Sequence, residues 1–468
     1  MVPRAVAAES IDERHGEKMS HARGSGGLGI TRREAMRLGL SSAAGLLLAG
    51  RLSAADPAAA TPPAPKGKAK AVIQIWLWGG PSHLDTFDPK PEAGYDYCGP
   101  FGKPIETHVK GIRISEWLPL LAQQADNYSI IRSMTHGINA HETAAYMVQT
   151  GRPPGGRQVF PGVGAVVSLF KGYDAGYRGL IPPYIVLTEL QGRFAEAGFL
   201  GPRYQPFATG GDPARTPFAV EGIVAEGLSA DRQKDRRELL HRLDGLKRAM
   251  QNDPQVTAAD KAEDQAYDLI LGDAGKVFDL AQEKDDLRDR YGRTTFGQAC
   301  LVARRLVERG VPYVTINSKG WDTHKQHFQA MRQKLPEMDK GFATLLQDLA
   351  DRHLLESTIV WWSGEFGRTP KVMWESPWNG GRGHYGKVFS AVLAGGGFRG
   401  GQVVGASDAK GEEVKERPVY PCDLIASVYE KLGIDPHAKL PNPQGLDVRV
   451  TPTPAEGVTL GGRLKEIM

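Results

Sequence analysis

The sequence is poor in cysteine: Cys98, Cys300 and Cys422 are the only three in 468 residues, and no two stand close together. That spacing excludes a cysteine-ligated zinc site and a dense disulfide framework. It predicts mostly buried apolar thiols, with one disulfide open in an oxidising compartment. An excess of one charge sign is also missing. The 58 Lys and Arg against 54 Asp and Glu leave a formal charge of +4, and no basic run occurs in the body of the chain. Nothing in that pattern points to a nucleic-acid partner. Long apolar runs are absent too. The stretch from Leu38 to Gly50 is too short to span a bilayer comfortably, so no stable membrane span is expected. With 41% hydrophobic and 24% charged residues, the composition is that of a globular protein, neither disordered nor fibrous.

The N-terminus is informative. Arg32 and Arg33 are followed by the apolar stretch 38–50 and then by small residues suited to cleavage near Ala55 or Ala60. This is the layout of an export signal, and the paired arginines point to the twin-arginine route, which carries folded proteins. The alternative is an amphipathic helix with an incidental arginine pair. Residues 1–55 are therefore expected to be the signal and 56–70 an Ala/Pro-rich linker. Residues 71–468 are expected to form a single α/β domain in the periplasm or outside the cell.

The pattern after the linker alternates. Short apolar runs suited to buried strands are "AVIQIWLWGG" (71–80), "YSIIRSM" (128–134), "PPYIVLTE" (182–189), "VPYVTINS" (311–318), "STIVWWSG" (357–364) and "KVFSAVLAGG" (387–396). Helical patterns lie between them, among them "ISEWLPLLAQQAD" and "TTFGQACLVARRLVERG". Such alternation predicts a doubly wound, mostly parallel sheet with helices on both faces. Residues from about 220 to 290 are charged and helical with no strand signal, the pattern of a helical insertion.

Polar clusters fall where strands of such a sheet end, the edge at which sites form. "GWDTHKQH" offers Asp322, His324 and His327. A helix starting there would put both histidines on one face, and Asp with His suits zinc, manganese or another divalent ion. The bland alternative is an Asp cap with surface histidines. "GEFGRTPK" offers Glu365 as a metal carboxylate and Arg368 to hold an anionic group, or else a loop salt bridge. "NGGRGHYGK" sets His384 in a glycine-rich loop, as a site residue or a turn histidine. "GGPSHLDTFDPKP" offers His83, Asp85 and Asp88, as ligands or turn formers. "THGINAHETAAY" offers His136, Asn139 and His141, with Glu142 three residues past Asn139 as in a capping box. Each cluster alone is a weak signal; their gathering at one sheet edge is a stronger one.

In order, these motifs resemble the exported family "domain of unknown function 1501", assigned to the alkaline-phosphatase/sulfatase-like superfamily. The resemblance covers about residues 72–440. It implies an alkaline-phosphatase-like fold and a metal-dependent hydrolase of phosphate or sulfate esters, acting on a small-molecule or polysaccharide ester. Set against the sulfatase signature, "HETAAYMVQTGR" (141–152) puts His141 where the nucleophile stands. The signature's Pro and Arg are absent, and no Cys is available for conversion to formylglycine. The resemblance implies a shell of Asp322, His324, Glu365 and His384 around zinc, manganese or calcium, completed by His83, Asp85 or His141, with Arg368 on the anionic group. His141 would then be a ligand or base rather than a covalent nucleophile. A non-catalytic cell-envelope protein binding a sulfated polysaccharide or a protein partner is the alternative. The sequence carries no signal of an oligomeric state.

Overall fold

The computed structural model describes residues 67–156, 158–190, 196–220 and 273–468. The expected export signal, the linker up to residue 66 and most of the expected helical insertion lie outside these residues.

An eight-stranded sheet forms the centre. Its strands are β1 (Ala71–Leu77), β2 (Tyr128–Met134), β3 (Tyr184–Leu187), β4 (Phe207–Ala208), β5 (Tyr313–Ser318), β6 (Thr358–Ser363), β7 (Phe389–Gly395) and β8 (Val403–Val404). The order across the sheet is β8-β2-β7-β6-β1-β5-β3-β4. Within this sheet β7 alone is antiparallel to its neighbours, and every other pair is parallel.

β1 explains why the middle is apolar on both sides. All seven of its residues are buried. Ile73, Ile75 and Leu77 point into one core, and Val72 and Trp76 into the other. Strand alternation sends successive side chains to opposite faces, so a strand covered twice is apolar almost throughout; the exception, Gln74, accepts from the Tyr313 hydroxyl at 3.0 Å. Helices α3 (Thr295–Glu308) and α4 (His327–Asp351) cover the first face through residues such as Leu301, Leu306, Phe342 and Leu345. Helices α1 (His141–Thr150), α2 (Val163–Lys171) and α5 (Pro421–Lys431) cover the second through Ala145, Val148, Val166 and Val428. Each fully buried Ile, Leu or Phe contributes roughly 1.5–3 kcal/mol. The expected doubly wound, mostly parallel sheet with helices on both faces is the architecture observed. The three cysteines are free and buried.

α1 carries the stretch matched above to the sulfatase signature. Gly151, at φ 70°, ends it in the left-handed conformation that glycine adopts without cost. Its start differs from expectation. Ala140 precedes the first turn and no side chain caps it. Asn139 instead accepts the Gly386 amide on Oδ1 at 2.7 Å. The capping role is lost because Asn139 ties two loops together.

Among the described residues, no helix is long and apolar enough to cross a membrane.

Candidate functional site

The loops after β1, β2, β5 and β6 leave the sheet at one edge. Because β7 runs the other way, the segment before it arrives at that same edge. Gly79, just past β1, sits at φ 114°, and a Cβ there would lie 2.1 Å from the backbone nitrogen of Asp322. Only glycine lets the two loops come this close. The Gly79 amide donates to Oε1 of Glu365 at 2.9 Å, and its carbonyl accepts from Arg368. Trp321 donates its amide to the Trp78 carbonyl at 3.2 Å, which fixes the chain just before Asp322.

Asp322 is the hub. Its Oδ1 lies 3.1 Å from Nε2 of His384 and 3.1 Å from Nε2 of His324, and it accepts from Arg368 at 2.5 Å. Its Oδ2 lies 3.4 Å from Nε2 of His141. Ligand atoms of His141, Asp322 and His384 all lie within 4.8 Å of one another. His324 stands beside them, with Nε2 2.8 Å from Nε2 of His384. The Asp322 side chain keeps 42% of its exposure, so the group opens to solvent there.

The outer atoms of these imidazoles are held. Nδ1–H of His384 donates to the Asn139 carbonyl at 2.7 Å. Nδ1–H of His141 donates to Oε1 of Glu365 at 2.6 Å. Both contacts direct Nε2 inward, the outer-shell arrangement that orients metal-binding histidines. Aromatic rings hold the ring planes: Trp78 stacks on His141 at 5.7 Å and Phe366 on His384 at 4.7 Å.

The charges are coupled. Burial acts against the charged form of His141, but hydrogen bonds to Asp322 and Glu365 outweigh it and push the imidazole up to about 9. Burial likewise opposes ionisation of Asp322, yet bonds from His141, His384 and Arg368 hold its carboxyl well below the usual range. Burial, with help from Arg368, His384 and His141, lowers His324 against the pull of Asp322.

This donor set is the chemistry a divalent cation needs: imidazole nitrogens and a carboxylate converging on one point. Oε2 of Glu365 adds a second sign of fit, being buried with no hydrogen-bond partner in the protein. A buried carboxylate oxygen in that state has room for a partner from outside the protein, a water or a cation.

The profile of the family described as "Protein of unknown function (DUF1501)" matches residues 69–459. The chain belongs to the DUF1501 family. Among solved structures, the DUF1501 chain is similar to Ps i-CgsB in complex with k-i-k-neocarrahexaose, at 11% identity and TM-score 0.38, over 84% of this chain and 74% of that one. It is similar to the lipoteichoic acid synthase LtaP from Listeria monocytogenes at 10% identity and TM-score 0.35, over 82% and 75%. It is similar to the PsFucS1 sulfatase from Pseudoalteromonas sp. at 13% identity and TM-score 0.33, over 86% and 72%. No curated protein matches the DUF1501 chain in sequence.

Of the residues expected at this site, the DUF1501 fold brings together His141, Asp322, His324, Glu365 and His384. Three others go elsewhere. Asp85 is buried in an ion pair: Arg382 reaches its Oδ2 at 2.8 Å and its Oδ1 at 3.2 Å, and His327 meets Oδ2 at 2.9 Å. Both oxygens are used, so Asp85 is a structural carboxylate rather than a ligand. Burial opposes its ionisation, but Arg382 and His327 hold it down at about 2. His83 is buried against the Gly411 carbonyl at 2.9 Å and is not part of the converging group. Arg368 is corrected as well. It is fully buried, and its guanidinium donates to the Gly79, Gly80 and Arg382 carbonyls and to Asp322. Four of its five N–H groups are used and the guanidinium exposes no surface to a substrate anion, so Arg368 positions Asp322.

His324 and His327 do not share a helix face, because α4 begins only at His327. His136 donates Nε2–H to the Glu365 carbonyl at 2.7 Å, and burial pushes it down to about 4, which suits a neutral structural imidazole. Sequence reasoning missed Trp78 and Phe366. Their one signal is position: each directly follows a residue at which a strand or a site loop turns.

Proposed function

We propose that the DUF1501 chain binds a divalent cation (zinc, manganese or calcium) through His141, Asp322 and His384, with Glu365 and His324 alongside, and hydrolyses phosphate or sulfate esters after export from the cytoplasm. One observation carries this reading. His384 spends its Nδ1–H on the Asn139 carbonyl, which turns its Nε2 towards Oδ1 of Asp322 at 3.1 Å and Nε2 of His324 at 2.8 Å. Three polar atoms converging at these separations share protons, or a cation, among them. When bound, such a cation supplies the positive charge that offsets charge developing on an ester's oxygens.

The chain's own residues support water rather than a side chain as nucleophile. No thiol or serine stands at the start of α1, and the Thr143 hydroxyl donates back to the Ala140 carbonyl at 3.2 Å. His324, lowered by burial and partly open to solvent, is neutral near pH 7 and suited to take a proton from water. Arg368 and Gly79 keep Asp322 and Glu365 in place from behind.

The test is elemental analysis of purified mature protein, then turnover of aryl phosphate and aryl sulfate esters with and without a chelator. Protein that carries no metal and turns over neither ester overturns the proposal. For the export step, Arg32→Lys with Arg33→Lys retains the protein in the cytoplasm if the twin-arginine route is used.

A second reading is favoured by the burial of Arg368, which leaves the group without a free guanidinium for an ester anion. On that reading the protein binds a sulfated polysaccharide or a protein partner of the cell envelope without catalysis. Bound metal without turnover of any ester would support it.

A further inference from the structure

A cavity of about 620 Å³ lies at the carboxyl ends of β3 and β5, against the start of α3. That volume is in the range of small-ligand sites. We propose that it binds a neutral sugar ring, with Asn317 accepting one of the ring hydroxyls.

Asn317 carries the argument. It is only 7% exposed, it lines the cavity, and its Nδ2 donates to the Glu189 carbonyl at 2.7 Å. Its Oδ1 is buried and has no partner in the protein. An amide oxygen left so needs a donor from outside the chain. The wall next to it is strained. Thr188 is held at φ 72°, a conformation that a β-branched residue rarely adopts, and this turn presents the Glu189 carbonyl to Asn317.

The charges around the cavity choose the ligand class. Lys319, Lys334 and Arg293 are matched by Glu189, Asp212 and Glu337, three of each sign. They are largely used on one another and on the backbone. Lys319 pairs with Glu189, Lys334 donates to the Lys319 carbonyl, and Arg293 pairs with Asp285 and Asp289. An anion finds no surplus positive charge here. A ligand that offers hydroxyls able both to donate and to accept fits this mixed, neutral lining. The loop Lys319–Asp322 links the cavity to the metal-binding group, since it begins at the cavity wall and ends at the hub carboxylate. The sugar is then the non-reacting part of the ester. That last step alone rests on the hydrolytic reading; the binding itself does not.

The test uses the full mature chain and the methyl glycosides of glucose, galactose, mannose and fucose, followed by saturation-transfer NMR and calorimetry. At least one glycoside is expected to bind saturably at millimolar concentration. Asn317→Ala is expected to weaken it about tenfold, the loss of one hydrogen bond to a buried acceptor. Asn317 is buried, so a second variant guards against misfolding. Ala214→Trp fills the cavity from a half-buried wall position and is expected to abolish binding with the thermal transition unchanged. Inorganic sulfate and phosphate are expected not to compete. Chelation is expected to leave glycoside binding intact, and metal-loaded protein that turns over no ester yet still binds the glycoside would sink the hydrolytic reading and spare this site. The proposal is overturned if no glycoside binds, if Ala214→Trp binds as the wild type does, or if sulfate or phosphate displaces the glycoside.

Discussion

Arg368 reaches Oδ1 of Asp322 from inside the protein, at 2.5 Å, while exposing none of its own surface. The hub carboxylate of the site is therefore anchored from behind by a buried cation. Removing that cation leaves Asp322 uncompensated and strips donors from the Gly79, Gly80 and Arg382 carbonyls. Arg368→Ala is expected to cost about 2–4 kcal/mol of stability, measured by urea unfolding. Arg368→Lys is expected to recover only part of this, because an ammonium cannot reproduce the planar fork. Full stability in Arg368→Ala would contradict the anchoring role.

The proton that His141 holds in the metal-free protein gives a second prediction. With the imidazole pushed up to about 9, it is protonated at pH 7, and cation binding at Nε2 must expel that proton. Zinc titration at pH 7 should release about one proton, read by calorimetry in buffers of different ionisation enthalpy. Affinity should rise as pH increases towards 9. His141→Ala should bind at least tenfold more weakly and release less. Equal proton release by the variant and the wild type would remove His141 from the site.

Acid stability depends on a residue away from the metal group. Asp85 titrates at about 2 in the fold, because Arg382 and His327 outweigh the effect of its burial. A depressed carboxylate contributes stability above its unfolded value and loses it as pH falls through the folded one. The Asp85 contribution, about 2 kcal/mol, is therefore present above pH 4 and lost on acidification towards 2. Asp85→Asn should be less stable at neutral pH and show a flatter stability profile in acid. A variant with the same acid slope as the wild type would disprove the assignment.

Gly79 gives a steric prediction. A methyl group there meets the Asp322 backbone at 2.1 Å in a conformation that only glycine adopts freely. Gly79→Ala should cost about 1–3 kcal/mol and displace the Asp322 loop. Thermal unfolding reads the first effect and metal stoichiometry the second. Gly94→Ala, where a Cβ meets nothing within 4 Å, is the control for backbone strain alone.

The strands that shape the site were legible because burial on both faces forces continuous apolar runs. "YSIIRSM" and β2 coincide at Tyr128–Met134, and "STIVWWSG" contains β6. The edge strands Phe207–Ala208 and Val403–Val404 were not, since two residues carry no periodicity. The helix expected in "ISEWLPLLAQQAD" is reduced to Pro119–Ala122. Proline inside the stretch lacks the amide that a longer helix would use there. At the site, residue type and position at strand ends pointed to His141, Asp322, Glu365 and His384. They could not separate Asp85 from Asp322. Both are carboxylates in loops at the same edge, and what distinguishes them is a partner almost 300 positions away, Arg382. Arg368 misled for the same reason: nothing local says whether a guanidinium faces solvent or the interior.

The reversed strand β7 has a consequence for the order of events during synthesis. It lies between β2 and β6, and the histidine that precedes it closes the group of donors around Asp322. A ribosome must therefore release the chain past Gly395 before the sheet is continuous or the donors can meet. Truncated products ending earlier lack the join between two halves of the sheet and a ligand together. Capture of a cation would thus mark chains whose sheet is complete, and an unfinished chain would have nothing to capture it with.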